Sequence, residues 1–407
     1  VAVAAIVTGG AEAVRSFREA QRLDPECAMA YWGEALGLGP HLNQMFQPEN
    51  IRPAYDAIQK AISLKSGATA IEGAFIDALA ARYSPDADAD RAALDAAYAD
   101  AMQRLADAYP ADDDAQVLAA DALMNTMPWN YYSRDGQPYE NTAVVLKRLE
   151  TVVERAPHHT GATHLYIHAT EEHYPQKAEA AADSLQHAAP SAGHLVHMPS
   201  HIYMRLGRYE DAYEGNRLAV AADESYITQC RQQGIYPLSY YPHNVHFLMW
   251  AAERLGRSEQ ALFQARKVAK QAHDHMAGMD FALYDSFYVM PLHMMVRFGM
   301  WDDILAEPAP EETAPYVRGT WHYARARALT NTGELGEAAS EIRTLDDIRE
   351  NGDFGAMTVG FADPKRLLTI ASNVASGELA AHRGRYDNAI ALLDEAARIE
   401  DGLMYNE

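Results

Sequence analysis

The chain has 407 residues, 48% of them hydrophobic, and carries a formal net charge of −23 at pH 7. This acidity argues against nucleic acid and against an anionic membrane surface as partners, because both are bound through an excess of Lys and Arg. No apolar run reaches the ~20 residues that a membrane-spanning helix needs, so no membrane span is expected. The two cysteines, Cys27 and Cys230, are too few for a disulfide framework.

Helical patterns then follow in chain order. The opening "VAVAAIVTGG" predicts either the end of an export signal or a first helix. Four segments place small or apolar residues at positions i, i+4 and i+7 and proline at i+12, which indicates amphipathic helices that each end near a proline. These segments end at Pro25, Pro110, Pro157 and Pro190.

Later segments begin with Gly and carry Ala five residues on, followed by apolar residues at helical spacing. Gly suits the turn between two helices, and a small Ala lets two helices approach closely. The segments start with the pairs Gly207/Ala212, Gly256/Ala261, Gly333/Ala338 and Gly384/Ala389. The two patterns together predict a succession of packed helix pairs.

These patterns resemble the tetratricopeptide repeat (TPR) family, whose period is about 34 residues. The anchors Val145, Ala178 and Ala212 are 33 and 34 residues apart, whereas other spacings stretch to 41–51 residues and indicate insertions. The resemblance implies an all-α, right-handed solenoid of antiparallel helix pairs, in which the first helix of each pair lines a concave groove.

The resemblance covers nearly the whole chain and implies a single solenoid over residues 1–407. Its segments are N-terminal repeats with insertions (1–157), histidine-rich central repeats (158–305) and C-terminal repeats (306–407). Three aromatic insertions, punctuated by Pro or Gly, are predicted as loops at 39–50, 127–141 and 234–244. Such loops either carry function or pack over the groove and its edges.

Histidines recur in register with the repeat. Of the 17 histidines, eleven lie between residues 158 and 246. His164 and His168 follow Pro157 by 7 and 11 residues, and His197 and His201 follow Pro190 by the same distances. The pair His194/His197 precedes Ala212 by 18 and 15 residues, as the pair His243/His246 precedes Ala261.

Spacings of three and four residues place such side chains on one helical face. The sequence therefore predicts a metal site whose candidate ligands are His164, His168, His194, His197, His201, His243 and His246, without resolving which three or four ligate. Imidazole ligands suit zinc or copper, and also iron. The alternative is a set of hydrogen-bonded core histidines repeated by sequence duplication. Outside this cluster, a surface or packing role is expected for His158, His159, His187, His273, His275, His322 and His382.

Three further residues are candidates for catalysis. Glu171 falls on the stripe of His164 and His168, where a carboxylate would ligate the metal or orient a ring. Tyr203 and Arg205 would orient a substrate or supply an acid near a metal-bound water. Pro199 is expected to interrupt the helix that carries the second histidine group.

The function predicted from this pattern is that of a metal-dependent enzyme acting on a small molecule through activated water or oxygen. One alternative is a non-catalytic TPR module that binds a peptide or protein partner in the groove. Another is metal storage or delivery, in which Met198, Met204 and Met249 join the histidines around Cu(I).

The segments "HLYIHA", "AGHLVHMPSHIYMRLGRY" and "PHNVHFL" are similar to a histidine-rich group of bacterial TPR proteins. That resemblance favours the periplasm over the cytoplasm and implies no particular activity. The oligomeric state, the metal and the substrate stay open at this point.

Overall fold

The computed structural model describes residues 10–43, 46–230, 236–276, 284–311, 314–355, 358–359 and 362–405, without the side chains of residues 10, 11, 230, 275, 276 and 284. Apart from isolated β-bridges such as Tyr132–Pro138, the regular structure of these ranges is helical, which confirms the all-α class. None of the helices in these ranges is both long and apolar enough to cross a membrane. The predictions for the opening residues 1–9 and for the His275 side chain fall outside the described part of the chain.

The chain divides into two compact units. Unit 1 extends to Asp211 and includes Ala221–Asp223, whereas unit 2 comprises Ala212–Val220 and the residues from Glu224 onwards. These units are defined by contacts and not by repeats, so the division into segments 1–157, 158–305 and 306–407 stays a prediction.

Unit 1 contains helices α1 to α11 and part of α12. Their bounds are α1 Gly10–Leu23, α2 Ala28–Leu38, α3 Ile51–Leu64, α4 Ala70–Ala80, α5 Arg91–Ala108, α6 Asp113–Met124, α7 Glu140–Arg155, α8 Thr160–Thr170, α9 Glu179–Leu185, α10 Gly193–His197, α11 Pro199–Leu206 and α12 Tyr209–Cys230. Short 3-10 helices lie at Pro48–Asn50, Lys65–Gly67 and Pro175–Ala178. Each helix from α1 to α8 packs against the next, as expected for TPR-like helix pairs.

Many helices in unit 1 end shortly before a proline or start at a side chain that caps the first turn. Helices α1, α5 and α7 each end two residues before the predicted proline, whereas α9 ends at Leu185, five residues before Pro190. At the other ends, Asp90 and Asp112 accept hydrogen bonds from backbone amides of α5 and α6. Thr69 and Glu72 form a reciprocal capping box at the start of α4.

Unit 2 is built from the rest of α12 and from helices α13 to α21. Their bounds are α13 Tyr241–Arg254, α14 Ser258–Met276, α15 Tyr284–Tyr288, α16 Met290–Arg297, α17 Trp301–Ala306, α18 Pro315–Thr332, α19 Leu335–Asn351, α20 Pro364–His382 and α21 Tyr386–Glu400. Helix pairs α13/α14, α18/α19 and α20/α21 pack directly. Met249, one of the methionines considered for Cu(I), lies in the hydrophobic core of this unit.

The third aromatic insertion is not the loop that the sequence predicted. Its described part begins with a π-helix at Tyr236–Tyr240, and α13 starts at the next residue. Tyr236 and Tyr241 are both buried, so packing of the tyrosines favours helix over loop. The second insertion, by contrast, is non-helical from its start at residue 127 until α7 begins at Glu140.

The Gly-to-Ala pattern marks the helix turns as predicted. Gly207 and Gly333 follow α11 and α18 with φ angles of 78° and 96°, a left-handed conformation that costs glycine little. The alanines five residues after each glycine are buried, with exposures of 0% for Ala212, Ala261 and Ala338 and 4% for Ala389. Small side chains therefore sit where neighbouring helices meet.

Candidate metal centre

Helix α8 supplies two histidines and is followed directly by Glu171. The helix is capped by His159, whose Nδ1 accepts a hydrogen bond from the Ala162 amide at 3.2 Å. His164 and His168, four residues apart, lie on one face of α8. Their exposures are 4% and 2%, and that of Glu171 is 1%. Two imidazoles and a carboxylate are thus withdrawn from solvent together.

Helices α10 and α11 supply three more histidines. The helical stretch that begins at Gly193 is interrupted at Met198. Helix α10 therefore ends at His197 and α11 begins at Pro199, which confirms the predicted interruption. His194, His197 and His201 are 7%, 0% and 3% exposed. The break separates the helix that carries the first two rings from the helix that carries the third.

The Nε2 atoms of these rings meet in pairs. His164 Nε2 lies 3.2 Å from His194 Nε2, and His197 Nε2 lies 2.8 Å from His201 Nε2. The His168 ring lies beside both pairs, with its centroid 4.8 Å from that of His164 and 5.9 Å from that of His201. Five imidazoles from three helices therefore form one buried cluster within unit 1.

The carboxylate of Glu171 contacts two of these rings, those of His168 and His201. Its Oε1 lies 3.1 Å from His168 Nδ1, and its Oε2 lies 2.7 Å from His201 Nδ1. An ionised carboxylate only accepts hydrogen bonds, so its bond with His168 favours the tautomer in which Nδ1 of that ring carries the proton. The Nε2 atom of His168 then keeps its lone pair, which is the arrangement of an orienting carboxylate beside a metal-binding histidine.

Burial lowers the pKa of three of these imidazoles, those of His164, His168 and His201, which favours their neutral form. It lowers the pKa of His201 to about 3. The pKa of His164 is held well below its ordinary value, first by burial and then by the neighbouring histidines. Burial also lowers the pKa of His168, against the opposite effect of Glu171. Neutral imidazole is the form that ligates transition metals.

The donor set fits a three-imidazole metal site. His164, His168 and His194 offer nitrogens that all lie within 4.8 Å of one another. Nitrogens around a tetrahedral Zn²⁺ ion are about 3.3 Å apart, and the His164–His194 separation of 3.2 Å matches this value. His164 Nδ1 is buried without a hydrogen-bond partner among the described residues, which leaves Nε2 as the nitrogen directed into the cluster.

Two residues beside the cluster were missed at the level of sequence. Trp129, in the second aromatic insertion, meets the His168 ring edge-to-face with centroids 5.2 Å apart, and its indole N–H donates to the Leu42 carbonyl at 3.1 Å. Trp129 has a φ of 60°, unusual for a bulky side chain. His41 lies close enough to lower the pKa of His164. Both residues belong to predicted insertions, and the aromatic composition of these insertions was the sequence signal that could have identified them.

Tyr203 and Arg205, predicted as catalytic residues, are engaged elsewhere in unit 1. Tyr203 follows His201 by two residues, which turns it about 200° around α11, and its hydroxyl donates to Asp183 Oδ1 at 2.9 Å. Arg205 is exposed and donates from Nη2 to the Glu172 carbonyl at 2.6 Å. Both contacts join α11 to neighbouring segments, and a catalytic role for either residue stays a prediction.

His243 and His246 lie on α13, in unit 2. His246 Nε2 accepts a hydrogen bond from Trp250 Nε1 at 2.7 Å, and its ring meets that of Phe287 with centroids 5.5 Å apart. Burial, with a smaller effect of His293, lowers the pKa of His246 to about 4. The Nε2 lone pair of His246 is therefore already engaged by an indole, and metal ligation by His243 or His246 stays a prediction.

Several of the remaining histidines have ordinary surroundings. His158 Nδ1 is hydrogen-bonded to Ser184 Oγ at 2.8 Å, and His322 Nδ1 lies 2.6 Å from Glu341 Oε2. His187 is exposed. These contacts are those of surface and packing residues, and His187 offers a control position for experiments on the cluster.

No protein-family model matches the chain, and no curated protein sequence matches it. Among solved structures, it is similar to yeast Tom70, with 11% identity, a TM-score of 0.37 and coverage of 95% of this chain and 81% of that one. It is also similar to the human IFIT1 dimer with PPP-AAAA, with 12% identity, a TM-score of 0.40 and coverage of 96% and 87%. The TPR domain of P58(IPK) is 13% identical, with a TM-score of 0.21 and coverage of 97% and 94%.

Proposed function

We propose that this protein is a metal-dependent enzyme whose ion is held by the Nε2 atoms of His164, His168 and His194. The observation that carries the proposal is the convergence of these three buried nitrogens from α8 and α10, all within 4.8 Å of one another. Three protein ligands leave a fourth position for water or substrate, which is the arrangement of a catalytic site.

Energetics favour a metal over a purely structural cluster. A polar group in an apolar interior is costly unless it is hydrogen-bonded or coordinated. A hydrogen bond between two neutral imidazoles joins only two nitrogens, one that donates its N–H and one that accepts with its lone pair. Ligation uses the lone pairs of all three Nε2 atoms at once.

Zinc and copper are the metals that this donor set suits best, with iron as a further possibility. A bound ion would act as a Lewis acid and generate a nucleophile by lowering the pKa of bound water; copper or iron would instead support oxygen chemistry. Glu171 would keep the His168 ring in the tautomer whose Nε2 faces the ion. The substrate would be a small molecule at the open position.

The first experiment is elemental analysis of the protein purified without a histidine tag. We expect close to one equivalent of zinc or copper in the parent, or after its reconstitution, and less than a tenth of that in His164→Ala/His168→Ala. The control is His187→Ala, which removes an exposed imidazole and should keep the full metal content.

Thermal unfolding of the same three proteins completes the test. A ligand present at 100 times its Kd stabilises the folded state by about 2.7 kcal/mol, so saturating metal should raise the Tm of the parent and of the control but not that of the double variant. A parent that binds neither Zn²⁺ nor Cu²⁺ after reconstitution contradicts the proposal and leaves the protein-binding alternative. With metal bound, a screen of hydrolase and oxidase substrates follows.

A further inference from the structure

We infer that unit 1 contains a carboxylate-binding site, in which a small monocarboxylate is held by Arg82, Tyr98 and Asp121 and shares a proton with Asp121. Arg82 lies two residues after the end of α4, whereas Tyr98 lies on α5 and Asp121 on α6. The three side chains are buried, with exposures of 1%, 1% and 2%. None of them belongs to the histidine cluster, so the inference does not depend on a bound metal.

Each of these three side chains has a buried polar atom without a hydrogen-bond partner among the described residues. The atoms are Arg82 Nη2, Tyr98 Oη and Asp121 Oδ1. A buried polar atom is costly unless it is hydrogen-bonded, and the cost is larger for a charged group such as a guanidinium. Three such atoms in one region of the interior therefore indicate a bound group that completes their hydrogen bonds.

Neighbouring groups fix the orientation of these side chains. Arg82 Nε donates to Asp95 Oδ1 at 2.9 Å, and the guanidinium carbon lies 4.8 Å from the centroid of the Tyr98 ring. Asp121 Oδ2 accepts a hydrogen bond from Asn125 Nδ2 at 3.0 Å, which leaves Oδ1 for another partner. Within the described ranges, no hydrogen bond joins Asp121 to Arg82 or Tyr98. A bridging group is therefore needed to connect the three.

The charges of this region favour an anion over a water molecule. Arg82 and Arg91 both donate from Nε to the carboxylate of Asp95, each at 2.9 Å. Two guanidinium groups and one carboxylate carry a net positive charge, which Asp121 cancels only when it is ionised. Burial raises the pKa of Asp121 to about 6, against the opposite effect of Arg82. Below this pH a monovalent anion neutralises the excess charge, whereas water does not.

A carboxylate matches the hydrogen-bond donors of the site. Guanidinium N–H groups suit carboxylate oxygens in both geometry and charge. Burial raises the pKa of Tyr98, with smaller effects of Arg82, Asp121, Tyr83 and Asp95, so the hydroxyl stays protonated and can donate. A protonated Asp121 supplies the third donor. Two ionised carboxylates would repel one another, so the site binds the anion together with one proton from the solvent.

The test is isothermal titration calorimetry of the full chain with formate, at constant ionic strength set with chloride. Formate is the smallest carboxylate, so it demands the least rearrangement of a buried site. We expect saturable binding that is about tenfold weaker at pH ~7 than at pH ~5, because Asp121 must regain its proton to bind the anion. Titrations in two buffers of different ionisation enthalpy should show uptake of about one proton per formate at pH ~7.

Two variants assign the binding to this site. In Asp121→Asn the side-chain amide donates without a proton from the solvent, so formate affinity should be the same at both pH values and proton uptake should vanish. In Tyr98→Phe the loss of one donor should weaken binding by about tenfold. The matched control is Asp100→Asn, at an exposed position on α5, which should behave as the parent. Circular dichroism reports whether each variant is folded.

Three results would overturn the inference. The first is a parent that shows no saturable formate binding, which would leave buried water as the partner of these atoms. The second is formate binding without proton uptake at pH ~7 in the parent. The third is a folded Asp121→Asn that keeps the pH dependence of the parent, or a folded Tyr98→Phe that keeps its affinity. None of these results would affect the metal proposal, since the histidine cluster contributes no residue to this site.

Discussion

Glu171 Oε2 lies 2.7 Å from His201 Nδ1, so the residue that directly follows α8 contacts a ring on α11. The other oxygen of the same carboxylate lies 3.1 Å from His168 Nδ1. With an exposure of 1%, Glu171 makes these two contacts away from solvent. This side chain therefore ties the orientation of rings on two different helices to one rotamer.

Substitution Glu171→Gln should lower metal affinity by about 10- to 100-fold, the usual effect of losing an orienting partner of a metal-bound histidine. An amide presents only one acceptor oxygen, so only one of His168 and His201 keeps an acceptor at Nδ1. Competition with a chromophoric chelator measures the change. Glu179→Gln, at an exposed position on α9, should leave affinity unchanged; equal losses in both variants would show that Glu171 acts only through the charge of the unit.

Trp129 should report metal binding by fluorescence. Its ring centroid lies 5.2 Å from that of His168, and Cu²⁺ quenches indole emission at short range. We expect saturable quenching when Cu²⁺ is added to the parent and loss of this phase in Trp129→Phe. Trp32→Phe, which removes an indole that donates to the Phe75 carbonyl in the same unit, should retain it. Quenching that survives in Trp129→Phe would place the ion away from His168.

Asp121 should make unit 1 less stable as the pH rises. Burial raises its pKa to about 6, above the value of about 3.9 for an unfolded chain. The folded state therefore binds the proton more tightly, so the associated stability is complete below pH ~4 and is lost as the pH rises through ~6. The difference of two pKa units corresponds to about 3 kcal/mol.

In Asp121→Asn we expect a flatter dependence of the free energy of unfolding on pH between about 4 and 7, measured by urea denaturation. The matched control is Asp100→Asn on α5, where the carboxylate is exposed and should keep the slope of the parent. An unchanged slope in Asp121→Asn would mean that this carboxyl is ionised normally in the folded protein.

Ala389 should not tolerate a larger side chain. It is 4% exposed, and a Cβ built on Gly377 of α20 would lie 3.4 Å from the Ala389 carbonyl, so the two helices approach closely there. Ala389→Leu should therefore cost roughly 1–3 kcal/mol through overpacking. Ala391→Leu changes an exposed position on the same helix and should cost little. Thermal and urea unfolding of the pair decides whether the repeated alanine marks a close helix contact.

The sequence by itself determined the helix pairs and the composition of the candidate site. Of the four prolines that were predicted to mark helix ends, three lie two residues after the end of a helix. The spacing of His164 and His168 places both side chains on one face of α8. These features depend on backbone propensity and on the 3.6-residue period, which act within a single helix. The prediction of Tyr203 as a catalytic residue has no support from this period, because a residue two positions after His201 points to the other side of α11.

Only the tertiary structure decided which atoms meet. The 3.2 Å separation of His164 Nε2 and His194 Nε2 and the double contact of Glu171 depend on how α8, α10 and α11 pack and on side-chain rotamers. The position of Trp129 depends on a left-handed backbone in an insertion that has no period. Local periodicity fixes the face of a helix on which a residue lies, whereas distances between side chains on different segments arise from packing, which no single segment encodes.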